Sequence, residues 1–245
     1  MGTDYARTMR HYAAVLWDMD GTLVDTEPYW VEAETELMHA HGLDWDEEKG
    51  MLMVGNELLT SANILIAHGL TLPAEEIVEL LLDRVVELVR QHVPFRPGAK
   101  ELLADLHANE VPCALVTMSY RRLAEAVVAA CPEGAFAALI TGDEVPAGKP
   151  DPAPYLIGAA QLGVPPEQCV AFEDSVPGLT SAEAAGTIAF GIPHLVPLPE
   201  KPGRRLVPTL EGMSAQSLDG LIGAGTPHGP GVADAQEAAD SDEQS

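Results

Sequence analysis

Positive charge is what this sequence lacks most. Thirteen lysines and arginines stand against 38 aspartates and glutamates, a formal net charge of −25. A surface this acidic repels nucleic acid and anionic lipid at long range, so neither is an expected partner. A small anionic substrate is not excluded, because one metal ion and one lysine reverse the field locally. Cysteine is scarce as well. Cys113, Cys131 and Cys169 form no C-x-x-C pair, which excludes a disulfide scaffold or a cysteine-rich zinc module and leaves them as small buried residues. No apolar run approaches the roughly 20 residues of a membrane helix. The first residues show no charged, apolar and cleavage regions in series, so a reducing cytoplasm is the expected location.

The 245 residues, 47% hydrophobic, suffice for one α/β domain with an insertion or for two small domains. Residues 1–10 are polar and aperiodic and are expected outside the fold. Residues 223–245 hold four glycines, two prolines, five acidic residues and no basic ones, with Val232 the only large aliphatic. That segment has too little apolar surface to offset its ordering entropy, and a disordered acidic tail is expected.

Between these ends, five short apolar runs read as buried strands of a parallel sheet: Ala13–Asp18, Pro112–Thr117, Ala138–Thr141, Cys169–Glu173 and Thr187–Gly191. Helical patterns follow several of them. Arg121–Cys131 puts Leu123, Val127 and Ala130 on one face, and Ala153–Leu162 carries Tyr155, Leu156, Ala159 and Ala160 just after Pro152. Ser175–Ala185 stops at Gly186. Strand and helix in alternation predict a doubly wound α/β fold with a parallel sheet.

One interval breaks the rhythm. About 90 residues separate Asp20 from Pro112, where a whole βαβ unit takes roughly 30. Pro28 opens a helical run with Trp30, Ala33, Leu37 and Met38, stopped by Gly42. Pro73 opens another with Ile77, Leu80, Leu81, Arg84, Val85 and Leu88. Met51, Leu52, Met53 and Val54 read as core between them. Residues 26–95 are therefore expected to form an α-helical cap on a core made of 11–25 and 96–222. An insertion at this point lies above the carboxyl edge of the sheet, where ligands of such folds bind.

Chemistry gathers at that edge. Asp18-Met19-Asp20-Gly21-Thr22-Leu23-Val24-Asp25 follows the first strand, and two carboxylates converging at a turn suit a hard divalent cation, with Mg²⁺ the expected ion. The second strand ends in Thr117-Met118-Ser119. Gly148-Lys149-Pro150 offers one lysine in a loop, and the fourth strand runs into Glu173-Asp174-Ser175. Singly, each is an ordinary cap or turn former; their joint order is not ordinary.

Taken together, these four motifs resemble the haloacid dehalogenase superfamily, in the subgroup whose helical cap follows the first motif. The likeness spans residues 12 to about 222. It implies a Rossmann-like core and a Mg²⁺-dependent phosphatase of a small phosphorylated metabolite. Asp18 would be the nucleophile, forming an aspartyl-phosphate, and Asp20 the general acid and then base. Asp18, the Asp20 carbonyl and Asp174 would hold Mg²⁺, with Glu173 supporting them from behind. Thr117, the Met118 amide and Lys149 would hold the phosphoryl oxygens, which is mostly what phosphoryl transfer requires.

Within that resemblance, dehalogenation is removed by the presence of Asp20. A phosphonate hydrolase would need a Schiff-base lysine in the cap, where Lys49 is the only lysine and sits in a polar stretch. A β-phosphoglucomutase-like mutase is the nearer alternative. It would carry His after the first cap tyrosine and Arg three residues past the cap glycine; here those positions read Tyr29-Trp30 and Gly55-Asn56-Glu57-Leu58. Thr22 also follows the motif glycine, as in the phosphatases. A non-catalytic phosphometabolite-binding protein is the alternative from another class, and the intact acidic set argues against it. Trp30, Asn56 and Glu57 are the cap candidates for substrate contact, with Asn63 a further one; His39, His41 and His68 read rather as surface or helix-end groups.

Overall fold

The computed structural model describes residues 10–50, 52–53, 57–201 and 204–224. Asn56, Met51 and Val54 lie outside the described residues, as does the expected disordered tail from residue 225 onward. Its first two residues, Gly223 and Ala224, close a helix instead.

Six strands form one parallel sheet: β1 Ala14–Trp17, β2 Cys113–Val116, β3 Ala138–Ile140, β4 Cys169–Glu173, β5 Ile188–Gly191 and β6 Arg205–Leu206. Their spatial order is β3-β2-β1-β4-β5-β6. The register runs Val15 to Cys113 on one side of β1 and Val15 to Val170 on the other. The five sequence-predicted strands are all here, Cys169–Glu173 to the residue and the other four trimmed by a residue at one or both ends. β6 was not predicted, being two half-buried residues with no pattern to read.

Every strand of the sheet centre is buried on both faces, which is why each is a continuous apolar run. Val15, Trp17, Leu115, Val170 and Phe172 pack into one layer with α5 Ala99–Ala108, α6 Arg121–Val128 and α9 Ala215–Gly223. Ala14, Leu16, Ala114, Val116 and Ala171 face the other layer, built from Tyr155 and Ala159 of α7 Ala153–Leu162 and Leu179 and Ala182 of α8 Val176–Ala184. The chain reverses its direction of winding between β1 and β4, which opens a crevice at their carboxyl ends.

Residues between β1 and β2 supply α1 Glu27–Ala40, the single turn α2 Glu47–Gly50, α3 Leu58–Ala67 and α4 Ala74–Gln91 before α5. Helix α4 buries Ile77, Val78, Leu81, Leu82, Val85, Val86 and Val89 in the same apolar cluster as Trp17 and Leu123. The chain leaves and rejoins the sheet through adjacent segments: the Asp25 N–H donates to the Pro94 carbonyl (2.8 Å) and the Arg96 N–H to the Leu23 carbonyl (2.9 Å). His194, just past β5, sits 3.0 Å from Asp25 and also meets the Arg96 guanidinium, so both segments are tied to the sheet.

Four expectations about packing need correction. Leu52 is exposed rather than core, and Leu80 lies on the outer side of α4. Helix α6 ends at Val128, leaving Ala130 exposed beyond it. On α7 the buried positions are Pro154, Tyr155, Gly158 and Ala159, with Leu156 and Ala160 turned to solvent. Leu80, Leu156 and Ala160 lie on helix faces that the fold does not bury, while Leu52 and Ala130 lie outside any helix. Cys113 and Cys169 are buried and free, and Cys131 is half-buried and free.

Candidate active site

The Asp18 N–H donates to the Phe172 carbonyl (3.0 Å), so β1 and β4 stay paired up to the first carboxylate. The chain then folds back on itself: Leu23 and Val24 donate to the Met19 carbonyl, and Gly21 donates to Val24. Gly21 makes that turn with φ +86°, and its missing side chain makes room for a neighbour. A Cβ there would stand 2.0 Å from Oδ2 of Asp174. Gly178 does the same for Glu173, whose carboxylate carbon would lie 1.9 Å from a Cβ at that position.

Four motifs distant in sequence meet at this point. Lys149 Nζ donates to Asp18 Oδ1 (2.6 Å), to Glu173 Oε1 (2.6 Å) and to the Val116 carbonyl (2.9 Å), which uses all three of its protons. Glu173 is fully buried and further held by the Tyr155 hydroxyl (2.7 Å) and the Ser175 hydroxyl (3.0 Å). Ser175 also caps α8, accepting from the Gly178 N–H (3.1 Å). Asp20 is held apart from this cluster by three hydroxyls: Thr26 (2.5 Å), Ser119 (2.8 Å) and Thr117 (3.2 Å). Met118 lies in the same loop, and its sulfur accepts from the Lys149 N–H (3.3 Å).

One ammonium among three carboxyls leaves the acids undercompensated. Burial, then the Glu173 charge, push Asp18 well above the usual carboxylate range, with Lys149 only partly offsetting them. Burial and Glu173 likewise push Asp174 up to about 7. Burial disfavours the charged form of Lys149, but Asp18 and Glu173 outweigh it and raise its pKa. Oδ2 of Asp18 is buried with no hydrogen-bond partner. Carboxylate oxygens of Asp18, Glu173 and Asp174 lie within 4.8 Å of one another. Three carboxyls crowded around one ammonium form an oxygen-only set that a hard divalent cation would neutralise, and the residues present fit one.

The structure thus brings together Asp18, Asp20, Thr117, Lys149, Glu173 and Asp174. Thr26, Tyr155 and Gly178 were missed. A buried tyrosine needs a partner for its hydroxyl, and Tyr155 six residues after Lys149 was the available signal; Thr26 and Gly178 carried none. Among the cap candidates, Trp30 is half-buried on α1 and Glu57 is exposed just before α3. His41, Asn63 and His68 each bond a carbonyl four residues earlier in their own helix, as helix-end and surface groups do.

Residues 12–186 match the family model described as haloacid dehalogenase-like hydrolase. Hexitol phosphatase B of Escherichia coli is 32% identical over 197 residues, 76% of this chain and 86% of that protein. A probable pseudouridine-5'-phosphatase of Drosophila melanogaster is 31% identical over 195 residues, 76% of this chain and 84% of that protein. Among solved structures, CbbY of Rhodobacter sphaeroides in complex with phosphate superposes with a TM-score of 0.72 at 30% identity, covering 85% of this chain and 99% of that one. A β-phosphoglucomutase of Clostridium difficile shares the fold, with a TM-score of 0.69 at 20% identity over 87% of this chain and 98% of that one. With its four motifs assembled at one sheet edge, the chain is an enzyme of the haloacid dehalogenase-like hydrolase family.

Proposed function

We propose that this enzyme is a Mg²⁺-dependent phosphatase of small phosphorylated metabolites, hydrolysing a phosphoric monoester through an aspartyl-phosphate. The observation that carries the reading is Asp18: a buried carboxylate with one oxygen fixed by Lys149 and the other unpartnered at the open end of β1. That free oxygen attacks phosphorus, and the bond to the leaving oxygen breaks. Asp20 gives the leaving alkoxide its proton. In the second half Asp20 takes a proton from water as the water attacks phosphorus, and Asp18 is released with inorganic phosphate. Splitting the transfer in this way replaces one hard step by two easier ones.

Thr26, Thr117 and Ser119 aim the Asp20 carboxylate throughout. Lys149, Thr117 and the Met118 amide hold the phosphoryl oxygens. Glu173, clamped by Tyr155 and Ser175, keeps the Lys149 ammonium in place. Asp18, the Asp20 carbonyl and Asp174 would hold Mg²⁺, which when bound neutralises charge on the phosphoryl group. Residues 26–95 act as the cap, with Trp30, Glu57 and Asn56 as positions that meet the leaving group. Water is the acceptor because Trp30 stands where a mutase carries histidine. Relatives named for hexitol and pseudouridine phosphates support a substrate with a polyhydroxylated carbon frame. A cytoplasmic location goes with this substrate class; no helix among the described residues is long and apolar enough to cross a membrane.

The test is phosphate release across sugar, sugar-alcohol, nucleoside and glycolate phosphates, with and without Mg²⁺, and with Asp18→Asn beside the wild type. β-Glucose 1-phosphate is included and its product checked for isomerisation. We expect release that is lost on chelation and falls by at least about 10³-fold in the variant. Isomerisation without release would establish the mutase instead, and turnover by Asp18→Asn near the wild-type rate would remove the nucleophile.

A further inference from the structure

Helix α1 carries two carboxyl groups, Glu27 and Glu34, on one face, two turns and so about 10 Å apart along its axis. Glu27 is close enough to Asp20 and Asp25 to feel both charges, and Glu34 feels Glu27. A line of carboxyls therefore leads from Asp20 into the helical segment. Glu34 ends that line, and it is the member for which the fold provides no answer. It is 3% exposed, and its Oε2 has no hydrogen-bond partner.

An unmade hydrogen bond on a buried polar group costs about 1–3 kcal/mol. A leucine of similar size at this position would avoid that cost. Burial, then the Glu27 charge, push Glu34 up to about 8, so at neutral pH it keeps a proton and offers both a donor and an acceptor. The backbone facing it is bare, since a Cβ on Gly50 would stand 4.0 Å from Oε2. Of the three cations in this segment, Arg90 is exposed in the last turn of α4 and the other two are committed to surface pairs. Lys49 pairs with Asp44 and Asp46, and Arg84 with Glu32, Glu36 and Glu87.

We propose that Glu34 reads the leaving group: its carboxyl exchanges hydrogen bonds with hydroxyls of a neutral polyol phosphate. The acidic row below it disfavours esters that carry a second phosphate or a carboxylate. This rests on the phosphatase reading and narrows its substrate. A protonated carboxyl matches adjacent hydroxyls, since each of the two groups donates once and accepts once.

The experiment compares kcat/KM for sorbitol 6-phosphate with kcat/KM for p-nitrophenyl phosphate, whose leaving group bears no aliphatic hydroxyl. The ratio is expected to fall at least tenfold in Glu34→Leu and to recover most of the wild-type value in Glu34→Gln, which restores a donor and an acceptor. Fructose 1,6-bisphosphate is expected to be the poorer substrate of the wild type. The melting temperature of each variant shows that it folds. A ratio unmoved by Glu34→Leu, or a wild-type preference for the bisphosphate, overturns the assignment. Failure of the phosphatase reading looks different: neither ester would release phosphate in an Asp18-dependent way.

Discussion

The sheet edge and the helical segment above it solve the burial of charge in opposite ways. At the edge, Glu173 is fully buried yet meets Lys149, Tyr155 and Ser175, and Asp20 meets three hydroxyls. In the helical segment, Glu34 is nearly as buried and its Oε2 meets nothing, while the paired charges there lie on the outside. Buried polar groups in folded proteins are almost always satisfied. Asp18 at the edge also keeps an unpartnered Oδ2, so each region leaves one buried carboxylate oxygen open, beside a lysine in one case and without any cation at hand in the other.

The sharpest way to break that comparison is to remove the cation on which the edge depends. Lys149 is buried between Asp18 and Glu173. Lys149→Met leaves both carboxylates uncompensated in low dielectric, where loss of one partner costs on the order of 3 kcal/mol or more. Chemical denaturation at pH 8 should show that loss together with abolished phosphate release. The loss should shrink toward acid pH as the carboxyls take up protons. A variant as stable as the wild type at pH 8 would mean that solvent reaches the edge.

Leu81→Ala makes the matching cut in the helical segment. Leu81 is 1% exposed and belongs to the apolar cluster that also contains Trp17 and Leu123. Truncation there should cost about 2–5 kcal/mol. Because the cluster is continuous across α4 and α6, one thermal transition should move as a whole. A first transition split from an unmoved second one would show the helical segment unfolding by itself.

Legibility in the sequence follows the same division. The five strands were readable because a parallel sheet buried on both faces needs unbroken apolar runs, and Cys169–Glu173 was found to the residue. The site was readable because its charges sit in short loops at strand ends, where Asp18, Lys149 and Glu173 stand out against apolar neighbours. Tyr155 and Gly178 were missed, since each acts on Glu173 through space from a helix rather than from a strand-end motif. Glu34 lies in the run Glu32-Ala33-Glu34-Thr35-Glu36, which reads as a solvated face. Only the packing of α1 shows that this one glutamate of the three is enclosed.

That enclosure has a pH signature. With its folded value near 8 and an ordinary value of 4.5, Glu34 stays protonated in the native state while the unfolded chain has already lost the proton. Stability contributed by the group is therefore full below about pH 4.5, falls as pH rises through the window to 8, and levels off above it. Glu34→Leu should flatten the fall in melting temperature between pH 5 and 8. A slope should remain from Glu27 and Asp174, which burial raises to about 7, and from Asp18. An identical slope in variant and wild type would mean that Glu34 is ionised in the folded protein, against the enclosure argued for it.

The smallest effect should come from the most visible link between the two regions. Arg122 on α6 reaches Asp83 (2.6 Å) and Glu79 (3.1 Å) on α4, but its side chain is 37% exposed and theirs are 66% and 62% exposed. Pairs so open to water contribute about 0–1 kcal/mol, and salt screens them further. Arg122→Ala should therefore shift the melting temperature far less than Leu81→Ala, and the small shift should vanish in high salt. Equal shifts for the two variants would mean that charge, rather than the apolar surface of α4, holds the helical segment to the sheet. In that case enclosure of Glu34 would depend on ionic strength, and so would any selectivity that rests on it.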